Sequence, residues 1–315
     1  MAQSTDRRLV TVFGGSGFVG RHVVAQLARD GWQVRVAVRR PDEALFLKPA
    51  GAVGQITPLA ANIRDQDSVD RAVAGADAVV NLVAILHESG RQTFKALQEE
   101  GAARLAEAAR RAGARHFVQV SAIGADAASN SAYARTKAAG EQAVLRAFPQ
   151  AVILRPSIIF GPEDGFFNRF AAMAMTSPFL PLIGGGRTRF QPVYVGDVAA
   201  AVAAALSLPA AQGRTYELAG PRSYSFRRLL EITLAEIGRK RVLLPIPFAL
   251  AGLMGAVMQC LPMPQLTLDQ VRLLKRDNVP APGAPGLADL GIAPSGLEPI
   301  LPTYLDKFRK AGNRR

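Results

Sequence analysis

The sequence predicts an α/β protein, a doubly wound parallel sheet with a smaller C-terminal lobe, and two observations carry that reading. Short apolar runs alternate with helical patterns through the first half of the 315 residues, the signature of strands joined by helical crossovers. The runs, such as Ala78-Val79-Val80-Asn81-Leu82-Val83 and Phe117-Val118-Gln119-Val120, are almost continuously apolar, as strands buried on both faces must be. Right-handed crossovers then wind the helices onto both faces of one sheet.

The first strand, 9–13, delivers the chain to Gly14-Gly15-Ser16-Gly17-Phe18-Val19-Gly20. A tight turn at Gly14 needs a residue without a Cβ, and a helix opening near Gly17 aims free N–H groups at an anion. Glycines spaced three apart are not the commoner G-x-G-x-x-G fingerprint. The strand, turn, helix and strand around them are nevertheless the order a mononucleotide-binding unit requires, and the expected anion is a dinucleotide pyrophosphate.

The helix over 18–29 stops at Gly31, and strands follow over 34–38 and near 55–59. Then come a helix over 67–74, a strand over 78–83, a helix over 94–112, a strand over 116–120, a helix over 132–147 and a strand over 151–155. Beyond Gly161 the regularity falls, although strands near 191–195 and 214–218 are expected to return to the main unit. The chain therefore divides into a nucleotide-binding unit over 7–161 and a smaller lobe over 162–315, with Pro280 to Pro285 as an ordered linker.

Composition narrows the function. The single cysteine, Cys260, excludes an intramolecular disulfide, and the N-terminus has no apolar signal region; both point to a reducing cytoplasmic compartment. His22, His87 and His116 are scattered away from any cysteine cluster, so no metal site is expected. The net charge of +13 attracts polyanions or anionic lipid, or serves solubility alone. No nucleic-acid recognition module accompanies it, so no nucleic-acid partner is expected.

From Val242 to Leu268 there is no charged residue, while Arg239-Lys240-Arg241 precede and Arg272, Lys275 and Arg276 follow. Pro245 and Pro247 on one side, and Pro262 and Pro264 on the other, confine any helix to 248–261. Some ~14 residues at ~1.5 Å each fall short of the ~30 Å hydrocarbon core, which argues against a span. A buried helix of the small lobe and a monotopic helix on a membrane surface both stay open.

The chemistry gathers around the fifth strand. Ser121 follows it, and Tyr133 and Lys137, four apart on the next helix, share a face. An ammonium beside a phenol favours the phenolate and draws its pKa down from ~10, which makes Tyr133 a usable acid or base. Ser121 is then placed to hydrogen-bond the reacting oxygen.

Together these residues make the chain resemble the extended and atypical short-chain dehydrogenase/reductase superfamily, with its Rossmann-type fold. The likeness also rests on Asn81-Leu82-Val83-Ala84, Arg155-Pro156-Ser157-Ile158-Ile159-Phe160-Gly161-Pro162, Pro192-Val193-Tyr194-Val195-Gly196-Asp197-Val198 and Tyr216-Glu217-Leu218-Ala219-Gly220-Pro221. Within it, Phe160-Gly161-Pro162-Glu163-Asp164, Phe166-Phe167-Asn168-Arg169-Phe170 and Leu266-Thr267-Leu268-Asp269-Gln270-Val271 are similar to the bacterial branch related to the NADPH-carrying accessory subunit of respiratory complex I.

The resemblance implies that the residue closing the second strand selects the cofactor. A carboxylate there accepts bonds from a ribose hydroxyl, whereas arginine pairs with a 2′-phosphate. Val38 is followed by Arg39-Arg40, so NADP(H) is preferred, with NAD(H) as the alternative. The resemblance also places Asn62-Ile63 beside the adenine, Val83-Ala84 on the ribose side and Pro156-Ser157 by the nicotinamide. Where it implies an asparagine for the proton relay, the chain has Leu97-Gln98-Glu99.

Among weaker features, Gly184-Gly185-Gly186-Arg187 is read as a surface turn, with closure on a substrate phosphate or carboxylate as the alternative. Asp197 is expected to cap the helix that follows it. Trp32 and the phenylalanines of 166–170 are expected to pack rather than recognise a ligand.

Two functions follow. The enzyme reading is an oxidoreductase or epimerase that uses Ser121, Tyr133 and Lys137 on a carbonyl or alcohol of a quinone- or lipid-like molecule. The other is a protein that holds its nucleotide without turnover and docks on a membrane complex such as respiratory complex I. Both allow a peripheral position on the cytoplasmic face of the inner membrane and contact with an anionic membrane surface.

Overall fold

The computed structural model describes residues 8–259, 261 and 264–309. Cys260, Pro262 and the N-terminal residues 1–7, on which several sequence expectations rest, lie outside the described residues.

The first half runs β1 (Leu9–Phe13), α1 (Phe18–Arg29), β2 (Gln33–Val38), β3 (Ile56–Ala60), α2 (Gln66–Val73), β4 (Ala78–Asn81), α3 (Glu100–Arg111), β5 (His116–Val120), α4 (Ala132–Ala147) and β6 (Val152–Pro156). The second half runs β7 (Ile159–Phe160), α5 (Phe167–Thr176), β8 (Phe179–Ile183), β9 (Arg189–Phe190), β10 (Val193–Tyr194), α6 (Val195–Ser207), β11 (Thr215–Leu218) and β12 (Tyr224–Ser225). It ends with α7 (Phe226–Glu236), β13 (Val242–Ile246), α8 (Phe248–Met258), α9 (Leu268–Leu273) and α10 (Leu301–Leu305).

Seven strands form one parallel sheet in the order β11-β6-β5-β4-β1-β2-β3. The apolar runs are explained by what covers each face. Along β4, Ala78 and Val80 pack on the side of α1 and α6, while Val79 packs among Val69 of α2, Leu105 of α3 and Val144 of α4. Each such fully buried valine or leucine contributes about 1.5–3 kcal/mol. The order reverses between β1 and β4, and an open sheet of this kind leaves its ligand crevice at the carboxyl ends of the strands at that reversal.

One helix differs from expectation. The segment predicted as a helix over 94–112 opens with a single π-helical turn, Lys95–Glu99, before α3. The turn pushes the Gln98 carbonyl against α4, where a Cβ on Gly140 would overlap it. Bulges of this type recur at functional sites.

A third apolar cluster gathers around Phe160, Phe167, Phe190 and Phe226. There β8 and β13 pair in parallel, Val242 opposite Phe179. Asp197, expected to cap its own helix, sits in the first turn of α6 instead. It accepts the Ser295 backbone N–H at 2.7 Å and the Ser295 hydroxyl at 2.9 Å, because a tertiary partner competes successfully for the carboxylate. Among the described residues no helix is long and apolar enough to cross a membrane.

Candidate functional site

The glycine turn is a cradle in which each glycine has a separate reason. Gly14 has φ +80° and lies against the backbone of β4's end, where an added Cβ would come within 3.2 Å of the Leu82 carbonyl carbon. Gly17 is the N-cap of α1, whose first turn has no side-chain cap and no acidic residue. A Cβ on Gly20 would overlap the Gly14 carbonyl oxygen, so the helix can seat against the turn only with glycine there. The bare helix N-terminus is left facing the crevice, the arrangement that binds phosphate groups.

Gly14, Gly17, Phe18, Val19 and Gly20 line a cavity of about 760 Å³, and Ser121, Tyr133, Lys137, Pro156 and Ser157 line it too. The structure thus brings the glycine turn and the serine, tyrosine and lysine together. Ser121 is 4% exposed, and its Oγ is buried without a hydrogen-bond partner. A hydroxyl left so costs about 1–3 kcal/mol unless a ligand meets it. Lys137 donates to the Val120 carbonyl at 3.2 Å, and its Nζ lies 5.9 Å from the Tyr133 ring centroid. Phe94 packs edge-on against that ring at 5.8 Å.

The expected lowering of Tyr133 by Lys137 is reversed. Burial pushes the Tyr133 phenol up to about 12, and burial pulls Lys137 down to about 8 against the opposing attraction of Glu141. Desolvation of the charged form is the leading cause for each group. Tyr133 is therefore held as a protonated phenol.

Arg39 and Arg40 do not line the cavity, whereas Arg169, Arg272 and Arg276 do. Arg39 donates to Gln92 Oε1 at 2.9 Å, and Arg40 pairs with Glu43 at 2.9 Å. The cradle is next to them, since the Gly14 N–H donates to the Ala37 carbonyl at 3.3 Å. Asn62 accepts the Arg64 N–H at 3.2 Å, and Ile63 packs in the core beneath α3. Of Val83-Ala84, Ala84 lines the cavity together with Leu82, while Val83 turns to the opposite, α3-covered side. Gly15 and Ser16 do not line it; Gly15 faces the sheet, where a Cβ would come within 2.7 Å of Val36. Gln98 is turned away, donating to the Ile85 carbonyl at 2.9 Å and accepting from Thr136 at 3.2 Å.

Sequence reasoning missed a strap over 266–278. Asp269 accepts bonds from the Ser131 hydroxyl and the Ala132 N–H, each at 2.7 Å. Asn278 accepts from the Ser157 hydroxyl at 2.7 Å and donates to the Ile123 carbonyl at 3.3 Å. Both bridge more than a hundred residues of chain, and no local pattern announces such contacts. The phenylalanines of 166–170 are also divided: Phe167 is core, whereas Phe166 and Phe170 line the cavity with Met173, Phe226 and Met254.

The sheet order, the glycine cradle at its reversal and the serine, tyrosine and lysine on one wall define a Rossmann-type fold of the short-chain dehydrogenase/reductase class. The chain belongs to the NAD dependent epimerase/dehydratase family, whose model matches residues 10–219. It is 39% identical over 316 residues to NADH dehydrogenase [ubiquinone] 1 alpha subcomplex subunit 9, mitochondrial, of Arabidopsis thaliana, spanning 96% of this chain and 79% of that one. It is 36% identical over 207 residues to a ceramide reductase of Caulobacter vibrioides, spanning 65% of this chain and 63% of the relative. Among solved structures, the UDP-glucose 4-epimerase of Thermus thermophilus in complex with NAD shares the fold, with a TM-score of 0.72, 22% identity, and 96% and 99% of the two chains covered.

Proposed function

We propose that this protein binds NADP(H) and reduces or oxidises a carbonyl or alcohol on a quinone- or lipid-like molecule at a membrane. The observation that carries the reading is the buried, unpartnered Ser121 hydroxyl on the same cavity wall as Tyr133 and Lys137. The residues fit a dinucleotide, since only glycine satisfies the cradle and the uncapped α1 suits a pyrophosphate. A bound nicotinamide supplies or removes the hydride.

The side chains do the rest. Ser121 donates a hydrogen bond to the reacting oxygen, and Tyr133, held protonated, gives that oxygen the proton that completes an alcohol. Lys137 keeps the Tyr133 environment electropositive and stabilises the phenolate as it forms. Arg39 and Arg40 pair with the 2′-phosphate once Glu43 releases Arg40. The apolar lining from Phe166 to Met254 suits a hydrocarbon body, in keeping with the lipid named for the Caulobacter relative.

The test is Tyr133→Phe, which removes the phenolic hydroxyl and keeps the ring. NADPH affinity is expected to stay within a few-fold while turnover of a long-chain ketone or quinone falls by about 10²-fold or more; unchanged turnover removes Tyr133 from the chemistry. A second reading, nucleotide retention without turnover as a subunit of a respiratory complex, is favoured by Gln98, whose amide is committed away from the cavity. Under it the protein co-purifies with its nucleotide and with subunits of complex I.

A further inference from the structure

We propose that α8 with β13 and β8 forms a seat on an anionic lipid leaflet, and that the cavity takes its apolar substrate from that leaflet beside α8. The proposal rests on the reading above for what the cavity holds; the docking stands by itself.

The helix α8 carries no charge, and of its 11 residues only Ala251 and Gly255 are buried. Leu250, Leu253 and Val257, spaced three and four apart, are 51%, 65% and 66% exposed. A helix apolar on every side is one that something apolar covers. β13 leads straight into it, with Val242 and Leu244 at least half exposed, and Phe179, the partner of Val242, is equally open. Soluble monomers seldom present so many large apolar side chains on one lobe.

Charge selects the occupant. Residues 165–187 and 237–268, which contain α5, β8, β13 and α8, have no Asp or Glu and hold Arg169, Arg187, Arg239, Lys240 and Arg241. Lys275 sits 5.8 Å from the Phe248 ring at the start of α8. An apolar face whose own segments carry only cationic side chains matches an anionic bilayer surface.

The other stripe of α8 gives the seat a purpose. Ala251, Met254 and Met258 line the cavity, each one position along from an exposed neighbour, or about 100° around the helix. The outer face and the cavity wall are therefore adjacent faces of one helix, and a hydrocarbon chain can pass from the leaflet into the cavity along α8 without crossing water.

The test uses the full chain loaded with NADPH, floated with vesicles of phosphatidylcholine containing phosphatidylglycerol and with phosphatidylcholine alone. Binding to the anionic vesicles is expected, weakened by salt and reduced at least about tenfold in Leu253→Asp with Val257→Asp. NADPH affinity of that variant reports its folding, and Leu253→Ser with Val257→Thr is the milder form should it not fold. No vesicle binding by the parent, or equal binding by a folded variant, overturns the proposal. So does a parent dimer that the same substitutions dissociate, because the face would then belong to a second copy. Loss of turnover in Tyr133→Phe leaves vesicle binding intact, which separates this idea from the catalytic one.

Discussion

Asp269 of α9 accepts the backbone N–H of Tyr133 at 3.1 Å across 136 residues of chain. With the Ala132 N–H and the Ser131 hydroxyl on the same carboxylate, a residue of α9 caps the helix that carries Tyr133 and Lys137. A carboxylate at a helix N-terminus is stabilised by the free N–H groups and the dipole together.

Asp269→Ala is expected to destabilise the protein by about 1–3 kcal/mol, since three donors lose their acceptor. Urea unfolding measures this directly. Asp269→Asn, which keeps one oxygen acceptor, should recover part of the loss; a variant as stable as the parent would show that water replaces the carboxylate without cost.

Cofactor choice turns on Arg39 and Arg40. Arg39→Ala with Arg40→Ala should weaken NADPH binding about tenfold or more while leaving NADH within a few-fold, because only the former carries the extra phosphate. Glu43→Gln releases Arg40 from its 2.9 Å ion pair and should tighten NADPH. Titration by fluorescence decides it, and an unchanged NADPH to NADH ratio in both variants would falsify the assignment.

The cradle has a sharp steric test. Gly20→Ala places a methyl group on the Gly14 carbonyl, a backbone atom that cannot rotate away. Both stability and dinucleotide affinity should fall, the latter by about tenfold. Gly252→Ala, whose methyl group would meet only Leu268 at 3.7 Å, should be neutral or gain up to about 1 kcal/mol from helix propensity.

Titration of Lys137 predicts an alkaline stability rise. Its folded pKa of about 8 lies below the ordinary 10.5, so between those values the unfolded chain binds the proton and the native state does not. Stability then rises with pH across that window, by about 1.4 kcal/mol per pH unit at most. Tyr133 acts oppositely: its folded pKa of about 12 exceeds the ordinary 10, so stability falls from pH 10 towards 12. Lys137→Met should flatten the rise between pH 8 and 10 in thermal unfolding; an unaltered slope assigns it to another group.

The sheet was legible because its signals are local. Apolar runs such as Ala78 to Val80 and glycines with one steric reason each mark their own positions. Tyr133 and Lys137 were legible for the same cause, being four apart on one helix. Their protonation was not, because it depends on burial, which sequence spacing does not encode. Val83 packs on the side away from the cavity while its neighbours Leu82 and Ala84 line it, a division that the pair's sequence does not show. The contacts of Asp269 and Asn278 were not legible, because their partners lie more than a hundred residues away in the chain.

The outermost strand on one side of the sheet, β11, comes from residues 215–218 and lies against β6. Until the ribosome has made it, β6 presents a bare row of amides to any neighbouring nascent chain, the kind of border that invites aggregation. A fragment cut at Gly161 would keep that border permanently. The two halves of the polypeptide are thus obliged to mature together, and attempts to express the first half alone should yield insoluble material.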